Sequence, residues 1–359
     1  MRTQAALYQE IDLELSWSEA ELPERERTKH VHRLHPYLGK FVPQLAEVFL
    51  GRYAAPGDVV WDPFAGSGTT LVEANAFGAR ASGCDVSAFN CLLMRAKTAI
   101  YEPDLLLADV VRVSAGDKPR RRAAGSAYLK RWYAPRAIGE LLAFRDRVDG
   151  TAYPELWQVV LSRSARSARL ARHDDLDFPA EPAPKEYFCH KHRRVCRPVG
   201  EAEKFLRRYV RDAVQRVQEF ADVRTAEEVN VIHGDARVLD PPEACDLVFT
   251  SPPYPGLIDY HEQHAYAYEL LGLGRRDADE IGRGVKGYCE DIAAVLVRAR
   301  RALRRGGKIV IVVNDRRRLY DGILDAAGLR LQDRIIRHVN RRTGRRRGEF
   351  YEEVLVATP

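Results

Sequence analysis

The sequence predicts an α/β fold: a mostly parallel sheet with helices on its faces, a C-terminal antiparallel strand pair, and a mainly helical insert. Three observations predict it. Strand, turn and helix signals alternate through 58–100 and again from 229 onward, the pattern of parallel strands joined by crossover helices. Between these stretches, 101–228 breaks the alternation over a length that no connection within such a sheet needs. The chain then closes with two apolar runs, 330–340 and 349–359, joined by an arginine-rich loop.

The elements follow in order. Residues 1–30 are polar, charge-mixed and aperiodic, and are expected to form an N-terminal arm. "HPYLGKFVPQLAEVFL" (35–50) reads as a turn and then a helix. Pro43 suits a first helical position, and Leu45, Val48 and Phe49 make an apolar stripe. Val59-Val60-Trp61 is a β run, Gly66-Ser67-Gly68 a turn, 69–77 a helix stopped by Gly78, and 81–84 a second strand ending at Asp85. A helix over 87–100 starts behind a Ser87 cap. In the insert, 136–148, 153–170 and 201–220 read as helices, with a Pro-rich segment at 178–188. Then come strands at 229–237 and 246–250, an amphipathic helix at 290–303, a strand at 306–315 and a helix at 319–329. The expected domains are the arm 1–30, an α/β domain made of 31–100 and 229–359, and the insert 101–228.

The chain has 359 residues, 45% hydrophobic and 30% charged, in keeping with a globular protein. No apolar stretch approaches a membrane span and no signal peptide precedes the first charges, so the expected location is cytoplasmic, with no membrane partner. Six scattered cysteines argue against a disulfide framework. The net charge is +6, and the basic residues cluster in "KPRRR" (118–122), "HKHRRVCR" (190–197) and "RRTGRRRG" (341–348). Such runs suit a polyanion, because Arg pairs bidentately with phosphate. Solvated loops on an arginine-rich protein are the plainer alternative.

The turn "DPFAGSGTT" (62–70) carries the first chemical signal. Its glycines let a ligand lie close to the backbone. Asp85, seventeen residues past Gly68, ends the next strand, where it can grip a ribose diol. Asp235 follows a third strand on the same edge, within reach of an adenine amine. The motif is neither G-x-G-x-x-G nor a G-K-[ST] phosphate loop. Asp62 in the turn would repel phosphate but welcome a positively charged ligand, and S-adenosylmethionine carries an amine and a sulfonium.

The second signal is Ser251-Pro252-Pro253-Tyr254, after the strand expected beside the first. Two prolines fix the backbone and leave carbonyl acceptors without N–H groups of their own. A rigid wall of acceptors, joined by the Ser251 hydroxyl, suits an exocyclic amine, and Tyr254 offers a face on which a base can stack.

Together, "DPFAGSGTT" and "TSPPY" resemble the DNA amino-methyltransferases, which methylate the exocyclic nitrogen of cytosine or adenine using S-adenosylmethionine. "HPYLGKF" is similar to the segment that closes the cofactor pocket in that family. The resemblance covers 31–100 and 229–359 and implies a Rossmann-like methyltransferase fold. It implies that Tyr37, Asp62, Pro63, Phe64, Gly66, Ser67, Gly68 and Thr69 line the cofactor, with Asp62 near its methionine amine. Asp85 would hold the ribose and Asp235 the adenine end. Ser251 and the carbonyls of Pro252 and Pro253 would bind the target amine, with Tyr254 stacking on a flipped base. Ser at the first position of the tetrapeptide is typical of cytosine-N4 enzymes, and Asp or Asn of adenine-N6 enzymes. The expected partners are DNA and a cognate restriction endonuclease, with target recognition assigned to the insert.

Other signals stay open. Arg341, Arg342, Arg345, Arg346 and Arg347 are expected to track a DNA backbone, against the alternative of a solvated hairpin tip. No metal is assigned: Cys189, His190, His192 and Cys196 lie within eight residues, but at no standard finger spacing. His261, His264, Tyr266 and Tyr268 read as a helix packing its aromatics, part of which could line a base pocket. Three rival readings remain: an adenine-N6 DNA enzyme, an RNA amino-methyltransferase, and a nucleic-acid-binding scaffold subunit without activity.

Overall fold

The computed structural model describes residues 11–115, 126–176, 179–241, 243–253, 260–275, 281, 284–339 and 350–359. Its strands are β1 (Val59–Asp62), β2 (Arg80–Asp85), β3 (Tyr187–Cys189), β4 (Arg194–Cys196), β5 (Val229–His233), β6 (Cys245–Thr250), β7 (Leu303–Val313), β8 (Arg330–Val339) and β9 (Phe350–Thr358). Seven of them form one sheet in the order β5-β2-β1-β6-β7-β9-β8, while β3 and β4 form a separate hairpin. β5, β2, β1, β6 and β7 run parallel, and β9 pairs antiparallel with both β7 and β8. The expected mostly parallel sheet with a terminal antiparallel pair is what forms.

The central strands β1 and β6 and the second half of β7 read as apolar runs because both faces of the sheet are covered there. Val60 of β1, Leu247 and Phe249 of β6, and Val310 and Val312 of β7 point to one face. There they meet α1 (Pro43–Tyr53) and α2 (Thr69–Phe77) through Leu45, Phe49 and Leu71. The alternate residues Val59, Trp61, Val248, Ile309 and Ile311 point the other way. A run of α10, Val285–Ala302, covers them with Ile292, Val295, Leu296 and Ala299. This helix starts five residues before the predicted 290, because Tyr288 extends the same buried stripe one turn toward the N-terminus.

α3 (Ala88–Thr98) has two working faces. Cys91 and Met94 face the sheet side, whereas Phe89, Leu92, Leu93 and Ala96 join an apolar cluster that runs on into 101–228. That segment holds α4 (Pro103–Ser114), α5 (Ala127–Trp132), α6 (Pro135–Val148), α7 (Pro154–Ala168) and α8 (Glu203–Ala221). Trp157 of α7 sits fully buried, and its indole N–H donates to Asp109 at 2.8 Å. Asp109 also accepts from the backbone N–H groups of Ala152 and Tyr153, which pins α4 to the α6–α7 corner. After β6 come a helical turn, Tyr260–Gln263, and α9 (Ala265–Leu271), whose Tyr266 and Leu270 pack into the same cluster. The final helix is α11 (Leu319–Ala326). At the far edge of the sheet, Ile11 bridges Ile336 of β8, and Ser16 accepts from the His338 N–H. Among the described residues, no helix is long and apolar enough to cross a membrane.

Candidate functional site

The sheet order places β1 between β2 and β6, where the chain reverses its direction of winding. In open α/β sheets this switch point is where ligands bind, outside the carboxyl ends of the strands. Asp62, Asp85 and Thr250 are the last residues of β1, β2 and β6 and so share that edge.

The Gly-rich loop is held from three sides. Asp62 accepts from the Phe64 N–H at 3.1 Å and from the Thr250 hydroxyl at 2.6 Å. Asp85 accepts from the Gly66 N–H at 3.0 Å and the Ser87 N–H at 2.8 Å. Gly66 (φ +51) and Gly68 (φ +78) are both in the left-handed region that glycine favours. A Cβ on Gly66 would lie 3.2 Å from the Tyr37 hydroxyl, and one on Gly68 only 2.9 Å from Met94 Cγ. Burial raises the Asp62 carboxyl to about 6, against hydrogen bonds from Thr250, Thr70 and Phe64 that favour its charge. Burial raises Asp85 too, opposed by its bonds from Ser87, Asn90 and Gly66. Two carboxyls poorly solvated and close together make a setting that a cation would relieve.

One face of α3 supports this loop. Asn90, Met94 and Lys97 recur at helical spacing. Asn90 donates to the Tyr37 hydroxyl at 3.1 Å, Met94 abuts Gly68, and Lys97 donates to the Ser67 carbonyl at 2.5 Å. Lys97 is fully buried, and burial pushes its ammonium well below the usual lysine range. These residues carry no motif, so sequence reasoning passed over them; a lysine inside an apolar helical stripe was the available signal. Behind the loop, Glu73 of α2 bonds His32 at 2.6 Å and Lys29 at 2.8 Å, which fixes the segment leading to Tyr37. The ring of Tyr37 stacks on His264.

Whether this loop suits S-adenosylmethionine can be asked of its polar atoms. The Ser67 and Thr69 hydroxyl oxygens are buried with no hydrogen-bond partner among the described residues. Buried polar atoms of this kind call for a partner, and a ligand rich in donors and acceptors would supply one. The residues present therefore fit the group.

The proline corner adjoins the loop directly. The Thr250–Asp62 bond joins the two motifs across neighbouring strands. Ser251 donates its hydroxyl hydrogen to the Val312 carbonyl of β7 at 2.8 Å. With that hydrogen committed, the Ser251 oxygen can act toward a ligand only as an acceptor. Pro252 is buried and Pro253 half-buried. Tyr254 and Arg341, Arg342, Arg345, Arg346 and Arg347 lie outside the described residues.

Asp235 lies two residues beyond β5, on the same edge. It accepts from the Arg237 guanidinium Nε and backbone N–H, while Arg237 also pairs with Asp291 at 2.9 Å. An adenine amine reaching Asp235 would share the carboxylate with Arg237. His261, His264, Tyr266 and Tyr268 are all buried, and Tyr268 bonds the Ser87 hydroxyl at 2.8 Å. Their stripe is thus a packing face that buttresses the loop after β2. Of the metal candidates, Cys189, His192 and Cys196 come together, joined by His173, whereas His190 is not part of the group. His173 lies sixteen residues before Cys189, outside any spacing that was read.

A family model described as DNA methylase matches residues 5–95. The Type II methyltransferase M.MjaII of Methanocaldococcus jannaschii is 34% identical over 445 aligned positions, covering 96% of this chain and 84% of that protein. The Type II methyltransferase M.MvaI of Kocuria varians is 40% identical over 78 residues, 21% of this chain and 17% of that protein. Among solved structures, TrmN from Thermus thermophilus matches with a TM-score of 0.38 at 14% identity, over 89% of this chain and 50% of that one.

Proposed function

The chain belongs to the S-adenosylmethionine-dependent DNA amino-methyltransferase family, and from that premise we propose that it methylates the exocyclic N4 amine of cytosine in DNA. The observation that carries the choice of base is Ser251. Its hydroxyl hydrogen is spent on Val312, so it presents an acceptor beside the proline carbonyls, a pattern that serves the exocyclic amine of cytosine and of adenine alike; the choice between them rests on which residue stands at 251. Ser at this position, rather than Asp or Asn, favours cytosine.

When bound, S-adenosylmethionine supplies an electrophilic methyl group on a sulfonium. Asp62 would pair with its ammonium, Asp85 with the ribose hydroxyls and Asp235 with the adenine end, while Tyr37, Pro63, Phe64, Gly66, Ser67, Gly68 and Thr69 would line the cavity. Ser251 and the carbonyls of Pro252 and Pro253 would accept the hydrogens of the target amine. That amine is a poor nucleophile because its lone pair is conjugated into the ring. Acceptors that draw its hydrogens out of the ring plane would free the lone pair, and the surplus amine proton would pass along the same acceptors to solvent. Holding the two groups in line is worth about 7 kcal/mol on the effective-molarity scale. Thr250 keeps the two halves in register by tying β6 to Asp62. Tyr254 would stack on the base, which must leave the duplex to reach the corner.

The segment 101–228 is proposed as the target-recognition part, the arginines 341–347 as a backbone contact, a cytoplasmic restriction endonuclease of the same specificity as the partner, and 1–30 as an arm. Incubation with tritiated cofactor and either DNA or RNA, followed by digestion to nucleosides, tests the reading. Label in N4-methylcytosine from DNA supports it. Label in N6-methyladenine overturns the base, label from RNA alone overturns the substrate, and no transfer overturns the activity.

A further inference from the structure

Hairpin β3–β4 is poorly explained by packing. Of its six strand residues only Cys189 and Cys196 are buried, while Phe188 and Val195 stand 53% and 60% exposed. An isolated two-stranded hairpin is marginal in water, and this one turns its cross-strand apolar pair, Phe188 and Val195, to solvent. It nevertheless holds a fixed place after α7. Arg172 donates to the Phe188 carbonyl at 2.8 Å, and the His173 N–H donates to the Tyr187 hydroxyl at 3.0 Å.

What faces inward is a donor set. One ligand atom each from His173, Cys189, His192 and Cys196 lies within 4.8 Å of all the others. His192 Nδ1 is 3.5 Å from Cys189 Sγ and 3.5 Å from Cys196 Sγ. A tetrahedral zinc with Zn–S of about 2.3 Å and Zn–N of about 2.0 Å places sulfur and nitrogen about 3.5 Å apart. The rings of His173 and His192 meet edge to face at 4.9 Å, and His173 Nδ1 is buried with no hydrogen-bond partner among the described residues. Both cysteines are free thiols. We propose that His173, Cys189, His192 and Cys196 form a closed structural zinc site that staples hairpin β3–β4 to the chain leaving α7.

The chemistry favours zinc over harder cations. Two thiolates and two imidazoles in a tetrahedral arrangement suit zinc, whereas magnesium and calcium require oxygen. Four protein ligands leave no open position, so the role is structural. The turn between the strands carries Lys191 and Arg193, with Arg193 in the left-handed region at φ +52, and β4 opens on Arg194. The metal would therefore fix a basic tip whose strands cannot hold it alone. A second group, His30, His32 and Glu73, also lies within metal-binding distance. There the Glu73 carboxylate is already taken up by Lys29 and His32.

The test uses the full chain, purified without a metal-affinity step and dialysed against metal-free buffer. Elemental analysis should find about one zinc per chain. Mass-spectrometric mapping should find Cys189 and Cys196 protected from alkylation in the folded protein and reactive once a strong chelator is added. Cobalt substitution should give the visible absorption of a tetrahedral thiolate site. Cys196→Ser and His173→Ala should lose the metal, whereas His190→Ala should keep it. Three results would overturn the proposal: sub-stoichiometric zinc, alkylation of the two thiols that is indifferent to chelator, or full zinc retention in Cys196→Ser. Thiol mapping on the unaltered chain decides the matter even where a variant fails to fold.

Discussion

Asp62→Asn should make the cofactor-free protein more stable while making it a worse enzyme. The Asp62 carboxyl rises from an ordinary 3.8 to about 6, chiefly because it is buried. A folded-state value above the unfolded one means that its contribution to stability is intact at low pH and lost as pH rises through about 6. The displacement corresponds to about 3 kcal/mol lost above pH 7. Asparagine keeps an oxygen that can accept from Thr250 and Phe64 and removes the charge. Urea unfolding without cofactor should therefore show the variant gaining on the parent between pH 4 and pH 8, by up to about 3 kcal/mol. Calorimetry should show the opposite for S-adenosylmethionine: parent affinity climbing through pH 6 as Asp62 ionises, and variant affinity weak and flat. If the variant's stability tracks the parent's at every pH, or if its cofactor affinity keeps the parent's pH dependence, the Asp62 charge is not what destabilises the empty pocket and binds the cofactor's ammonium.

Three further outcomes follow from the same geometry. Ser251→Ala removes an acceptor from the target amine and should cut turnover about 100-fold, with the cofactor dissociation constant unchanged by calorimetry. Asp85→Ala should act in the opposite sense, raising that dissociation constant about 10- to 100-fold; unchanged affinity would misplace the pocket. Asp109→Ala strands the buried Trp157 indole N–H and the part-buried backbone N–H groups of Ala152 and Tyr153, and should cost about 2 kcal/mol in urea unfolding without altering cofactor affinity per folded molecule.

The parallel sheet was readable because its strands are buried on both faces, so runs such as 246–250 and 306–313 stand out from their surroundings. The Gly-rich turn and the proline corner were readable because glycine and proline mark backbone shapes that few other residues adopt. What escaped was whatever depends on distance across the fold. Lys97 and Asn90 matter only because α3 turns them under the loop, and no local pattern says so. Hairpin β3–β4 gives no alternation because its strands are only three residues each and apolar residues stand on both faces, Phe188 and Val195 toward solvent and Cys189 and Cys196 inward. His173 joins the cysteines from beyond the Pro-rich segment, which hid the fourth ligand. The helix Val285–Ala302 begins before the predicted 290, and its first turn contains Gly287, a weak helix former that marks no start in the sequence.

The account depends on donor and acceptor meeting between the ends of β1 and β6. A crystal structure with S-adenosylhomocysteine and a substrate duplex measures that meeting directly. The expected result is a flipped cytosine whose N4 lies about 3 Å from Ser251 Oγ, with the sulfur on the same side, over the loop of Asp62 to Gly68. A flipped adenine in that place, or a sulfur and a base held in separate cavities, would contradict the account.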